Sequence, residues 1–353
     1  MWQGGSWGLR RAFARALIGD GISAVIGKYL SEKEAQGAVF QLGFLHPFSN
    51  AATTRGMTHP TPIHCIGSVL WDIVGRSDRK MKAGHDVPGR ILRIPGGVAM
   101  NIAMALRMHD VPVSLLTSLG ADPAGRDLLE EATRRGMETA LVHISDRHPT
   151  DQYMAIEGSN GLIAAIADAH SLEAEADAVI APMRDGRVGS VEEPFAGLVV
   201  CEGNLPEATL EYISAAAEFR GADLRLAPAS PGKAGRLKPF FGHGHATFYV
   251  NLIEANILLG TKLDTSVEAA VQLVDAGVYR AAVTDGPNLA AIADANGVHS
   301  AVPPSVDVLR VTGAGDVFMA SHIVAETRGM VGDAALDFAL THTATYISTE
   351  TPL

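Results

Sequence analysis

The residues with the most chemistry in them stand near the C-terminus. Val311-Thr-Gly-Ala-Gly-Asp316 is followed by an apolar stretch, residues 317–326, that reads as a helix. Successive small residues at a helix N-terminus let backbone N–H groups converge into an anion hole, which the helix dipole favours further. An Asp beside such a hole adds negative charge, so a loop that merely binds phosphate gains nothing from it. The Asp makes sense if it takes a proton from a hydroxyl that then attacks phosphorus. An Asp at a helix start also serves as an N-cap and needs no chemistry for that. On the motif alone both readings stand. A second site is Pro95-Gly-Gly-Val-Ala-Met-Asn101. Gly96 and Gly97 permit close approach of backbone to a ligand, and Asn101 can donate to and accept from hydroxyls; an ordinary βα turn has the same composition. The third is Asn251-Leu-Ile-Glu254, an amide and a carboxylate one helical turn apart. The pair could hold Mg²⁺ through water, and it reads equally as a surface helix pair.

Other glycine loops do not fit. Gly27-Lys28-Tyr29 lacks the first glycine and the hydroxyl of a Walker loop, and Gly313-Ala-Gly-Asp-Val-Phe318 puts Phe where a dinucleotide fingerprint needs its third glycine. His243 and His245 suggest a metal but have no third ligand nearby in sequence. Met100, Met104 and Met108 sit at helical spacing and read as core.

Strands alternating with helices must position these sites. Residues 64–70, 113–117, 197–201, 223–227, 248–251 and 281–284 read as buried strands, and residues 101–109 and 127–136 as helices. This βαβα order predicts an α/β fold, a mainly parallel sheet with helices on both faces. Two half-exposed pieces, about residues 80–95 and 150–168, fit a small β subdomain better. The second contains a hairpin signal at Glu157-Gly-Ser-Asn-Gly161. Residues 1–56 form an extension ending in a small-polar linker, and residues 57–353 the main domain. Arg10, Arg11 and Arg15 on a helical stretch suit a mitochondrial transit peptide, whereas Asp20, Glu32 and Glu34 do not; an upstream extension with Met57 as a second start is the other reading.

The 353 residues are 47% hydrophobic and 19% charged, which excludes a disordered chain. A net charge of −11 speaks against nucleic acid and anionic membrane surfaces as partners. No apolar run has the length of a membrane helix. Two cysteines, Cys65 and Cys201, exclude a disulfide scaffold and suit a reducing cytoplasm.

The double glycine, N-x-x-E and G-A-G-D, in this order and spacing, resemble the PfkB, or ribokinase-like, carbohydrate kinases from about residue 63 onward. Thr284-Asp-Gly286-Pro falls at that family's nucleotide-site turn. The resemblance implies a three-layer α/β sandwich with a β lid. It implies an ATP-dependent kinase with Mg²⁺, acting on the CH₂OH of a sugar or nucleoside. Asp316 would be the general base, and the backbone of Gly313, Ala314 and Gly315 the anion hole. Asp72, Gly96, Gly97, Asn101 and the lid's Asp168 would bind substrate, Thr284 and Gly286 the nucleotide, and Asn251 and Glu254 the hydrated metal and phosphate. Residues 88–103, Ala165-Ile-Ala-Asp168 and Cys201-Glu-Gly-Asn204 are most similar to the family's pseudouridine kinases. His85-Asp86-Val87 and Ala167 depart from them where the base would sit, so ribose or another furanose stays open. Arg310 stands where relatives carry an Asp or Asn that helps bind a monovalent cation; a guanidinium cannot ligate K⁺, so none is expected. Lid-to-lid pairing implies a homodimer. A dinucleotide-binding oxidoreductase and a catalytically weak sugar-binding protein are the other readings.

Overall fold

The computed structural model describes residues 61–82 and 84–349; the expected extension, residues 1–56, lies outside them. Strands buried on both faces need apolar residues throughout, and the short apolar runs form such a ladder. Its six parallel strands are β1 (Ile63–Ile66), β4 (Val113–Leu116), β9 (Leu198–Glu202), β10 (Asp223–Ala227), β11 (Ala246–Asn251) and β12 (Arg280–Thr284). After β12 the chain turns back, and β13 (Ala290–Asp294) and β14 (Gly297–Ala301) add antiparallel at the edge. The order is β14-β13-β12-β11-β10-β9-β1-β4.

Helices α1 (Val98–Arg107), α2 (Pro123–Arg134), α6 (Ala314–Thr327) and α7 (Asp333–Ile347) pack into one core with Cys65, Val200 and Tyr249 of the sheet. Helices α3 (Glu207–Ala215), α4 (Leu252–Leu259) and α5 (Ser266–Asp275) share the opposite core with Ile66, Cys201 and Phe248. This is the expected three-layer sandwich. The chain leaves β1 toward β4 on one side and β9 on the other, which opens a crevice at the C-terminal ends of β1 and β9, the usual ligand position in such sheets.

The small sheet has four strands, in the order β3-β2-β7-β8. They are β2 (Leu70–Arg76), β3 (Arg90–Gly96), β7 (Gln152–Gly158) and β8 (Gly161–Asp168). Two corrections follow. Residues 64–70 are not one strand: Gly67, at φ 154°, ends β1, and the chain enters β2 at Leu70 as a lid strand. The first lid piece starts at Arg90, and residues 77–82 and 84–89 carry no strand. A shorter parallel pair, β5 (Ser118–Gly120) with β6 (His143–Ser145), lies beside the main sheet in sequence. Helix α1 also begins earlier than expected, at Val98, because the positive φ of Gly97 (94°) starts it. Met108 falls just beyond its end and is 68% exposed, unlike the buried Met100 and Met104.

Register sorts the lid side chains. Ile94, Asp72, Tyr153 and Ala167 stand in one cross-strand row. Pro95, Trp71, Gln152 and Asp168 stand in the next row, so they face the other way.

Candidate active site

Helix α6 begins at Gly313, whose φ of 83° is the left-handed turn that aims the helix; a Cβ there would also lie 2.7 Å from the Tyr346 hydroxyl. The N-cap is therefore Gly313, and Asp316 is the third helical residue. Its carboxylate does not cap its own helix: Asn101 Nδ2 donates to Asp316 Oδ2 at 2.9 Å. Burial pushes the Asp316 carboxyl up to about 7; the Asn101 bond opposes this, and the negative charges of Glu202 and Glu254 add to it. A carboxylate with that affinity for a proton is suited to general-base work near neutral pH. Ala314 N–H donates back to the Val311 carbonyl at 3.1 Å, so it is spoken for in this conformation. Gly315 is exposed, with open space around its Cα. The first-turn N–H groups of a helix have no partner within it, which leaves this end suited to an anion.

Asp72 comes to the same site through Gly96. A Cβ on Gly96 would overlap the Asp72 carboxylate, so the glycine is required by that contact. Burial raises the Asp72 carboxyl to about 6. Gly96 and Gly97 lead into α1, whose second turn carries Asn101. The chain of contact runs from Asp72 through the double glycine to Asn101 and Asp316.

Asn251 and Thr284 are register partners at the C-terminal ends of β11 and β12, and Gly286 lies in the exposed turn after β12. Asn251 and Glu254 form a reciprocal cap at the start of α4. Glu254 N–H donates to Asn251 Oδ1 (2.9 Å), and Asn251 N–H donates to Glu254 Oε2 (2.8 Å). One Glu254 oxygen and the Asn251 amide nitrogen stay outside this pairing. Among the described residues no group of three His, Cys, Asp or Glu side chains could hold a metal directly. The free Glu254 oxygen and the Asn251 amide would suit a hydrated Mg²⁺ held through water and phosphate oxygens.

Asp168 is not brought to this cluster. It faces away from the Asp72 side of the lid and lies near His170 at the lid root (3.9 Å). Arg310 turns to the end of α7, where its Nε donates to the Thr349 carbonyl at 2.8 Å and its guanidinium stacks 4.9 Å from the Tyr346 ring centre. Tyr346 in turn donates to the Thr312 carbonyl at 3.0 Å. Three residues given no role by the sequence, Ser68, Glu202 and Asn204, sit in the β1–β9 crevice. The signal for Glu202 and Asn204 was Cys201-Glu-Gly-Asn204 at a strand end, a charged residue closing an apolar run.

Comparison with known proteins gives the family and the fold. The profile of the pfkB family carbohydrate kinases matches residues 61–351. The pseudouridine kinase of Escherichia coli is 26% identical over 279 residues, covering 78% of this chain and 86% of that protein. An uncharacterised sugar kinase of Escherichia coli is 29% identical over 204 residues; the match covers 58% of this chain and spans 54% of that relative's length. In fold, a carbohydrate kinase from Agrobacterium tumefaciens superposes with a TM-score of 0.70 at 24% identity, covering 83% of this chain and 92% of that one.

Proposed function

This chain belongs to the pfkB family of carbohydrate kinases, and from that premise we propose that it transfers the terminal phosphoryl group of ATP to the CH₂OH of a furanose or nucleoside, with pseudouridine the first candidate. The observation that carries the reading is the Asn101–Asp316 pair at the mouth of α6, a base of raised proton affinity beside a helix N-terminus. Asp316 accepts the hydroxyl proton as the oxygen attacks phosphorus, and Asn101 keeps the carboxylate turned toward the sugar. The N-terminus of α6, from Gly313 to Gly315, receives the transferring group. Asp72 and the Gly96–Gly97 turn hold sugar hydroxyls. Asn251 and Glu254 hold the hydrated Mg²⁺, with Thr284 and Gly286 bordering the nucleotide. When bound, the ion neutralises charge on the phosphates.

Pseudouridine is favoured by the relative of that name. Ala167, which faces the same side of the lid as Asp72, offers a base no hydrogen bond, so a simpler furanose remains the second substrate class. The oxidoreductase reading has no support: Phe318, which breaks the fingerprint, is packed in the core. Arg310 stacks its cation on Tyr346, whose hydroxyl holds the Thr312 carbonyl of the anion-hole loop, and we propose that no monovalent cation is needed. Residues 57–353 are proposed as the kinase domain. Cys65 and Cys201, both buried and unpaired, fit a cytoplasmic protein; no helix among the described residues is long and apolar enough to cross a membrane. The test is ADP release with ATP and Mg²⁺ across pseudouridine, uridine, ribose, fructose and adenosine, with K⁺ present or replaced by a bulky ammonium ion. The reading expects one furanose-bearing substrate to dominate at equal rates in both salts. No ADP release with any of them would overturn it.

A further inference from the structure

The crevice between β1 and β9 is filled by a carboxylate. Glu202 closes β9 with its side chain fully buried. Its Oε1 accepts the Ser68 N–H at 2.6 Å and its Oε2 the Asn204 N–H at 2.7 Å. Ser68 is a branch point. Its Oγ accepts the Val98 N–H (2.9 Å) and Asn204 Nδ2 (3.0 Å), and its carbonyl accepts the Met100 N–H (3.3 Å). Helix α1 has a glycine at its N-cap, with no side chain to satisfy the first-turn donors. Ser68 does so from a distance, and Glu202 holds Ser68 from behind. Two glycines are required by these contacts. A Cβ at Gly67 would overlap the Glu202 carboxylate, and one at Gly97 would overlap Ser68.

We propose that Glu202 is a positioning residue for phosphoryl transfer: by fixing Ser68 it sets both β2, which carries Asp72, and α1, which carries Asn101. The inference rests on the kinase reading of Asp316. Asp72 follows Ser68 by four residues, and Asn101 lies one turn beyond the N–H groups that Ser68 holds. One carboxylate thus sets the sugar-holding group and the partner of the base against each other. A carboxylate is needed because both oxygens accept from backbone donors. An amide would turn an NH₂ toward one of those N–H groups and leave a buried donor unpaired. Asn204 is held on its other side by Lys233, which donates to Asn204 Oδ1.

The test compares Glu202→Gln, Ser68→Ala and the double variant. Hydrogen exchange is read without substrate, and kinetics are read with pseudouridine and ATP. Exchange at the amides of residues 68–74 and 98–104 should quicken about tenfold, with residues 246–251 and 280–284 unchanged, because one local hold is lost. The kcat should fall about 10- to 100-fold through misplacement of reacting groups, and the sugar KM should rise, with the KM for ATP within about twofold of the parent. The double variant should be no worse than Glu202→Gln, since both cut one chain of contacts. Uniform quickening across all segments, parental exchange at residues 98–104, or additive losses would each overturn the proposal. If Glu202→Gln does not fold, Ser68→Ala decides through the same exchange pattern at residues 98–104. A parent that phosphorylates nothing would sink the kinase reading, while the exchange pattern still judges how α1 is held.

Discussion

At the scale of single residues, the site depends on carboxylates that hold their protons unusually well. Burial is the main cause for both Asp316 and Asp72, and for Asp316 the nearby charges of Glu202 and Glu254 add to it. The folded Asp316 titrates near 7 against 3.8 for the free side chain. Its proton therefore stabilises the fold fully below the lower value, and that contribution is lost as pH rises through about 7. Asp316→Asn imitates the protonated form at every pH. In thermal melts without ligand, the variant should nearly match the parent at pH 4, exceed it increasingly up to about pH 7 and hold a constant gap above that; a gap independent of pH throughout would contradict the assignment. Asp72→Ala should act differently, because on the proposed reading it removes hydrogen bonds to the sugar. The sugar KM should rise about tenfold or more, since a lost charged hydrogen bond is worth roughly 1.5–3 kcal/mol, with the KM for ATP nearly unchanged. An unaltered sugar KM would move the substrate site elsewhere.

At the scale of elements, α6 has to be seated so that its first turn meets Asn101. Near its other end Glu326 takes Arg225 and Arg280, the latter at 2.5 Å, while His322 meets the Tyr249 hydroxyl at 2.8 Å. Arg225 is buried and keeps Asp223 (2.6 Å), so losing Glu326 removes the second of its carboxylates and the one that holds Arg280. Glu326→Ala should destabilise the fold by roughly 3 kcal/mol in urea unfolding; a loss under about 1 kcal/mol would mean that packing alone seats the helix. Much of this layout was legible in the chain. Most of the apolar strands, the glycine start of α6, the hairpin at Glu157–Gly161 and the Asn251–Glu254 pair show in local pattern, because turns and caps are local physics. What was not legible depended on contacts distant in sequence. The break at Gly67 is imposed by Glu202, 135 positions later. Asp168 looked like a lid ligand by resemblance, yet pairing with Gln152 turns it to the other face, and register cannot be read from one strand. The sequence showed Arg310 only as a departure from the relatives' Asp or Asn; its grip on Thr349 comes from a helix end 39 residues away.

At the scale of the whole molecule, the lid carries an apolar face with little cover. Ile91, Met154, Ile156 and Ile166 stand on the side opposite Asp72, with Ile91 78% and Ile166 66% exposed. A four-stranded sheet with such a face and open edges is unfavourable in water, and a second copy of the lid would cover it. Light scattering should report a dimer, and Ile166→Lys should shift it toward monomer; a parent that is monomeric at high micromolar concentration would refute the pairing. The central claim concerns what the assembled site does with a hydroxyl. The most direct measurement is the pH dependence of ADP release, with saturating ATP, Mg²⁺ and the best furanose substrate, for the parent and Asp316→Asn. The parent rate should rise with pH to a plateau, since the base works deprotonated. Asp316→Asn should lie about 10²–10⁴-fold lower and lose that rise. A variant within a few-fold of the parent at pH 8, or one that keeps the same rise, would contradict the account.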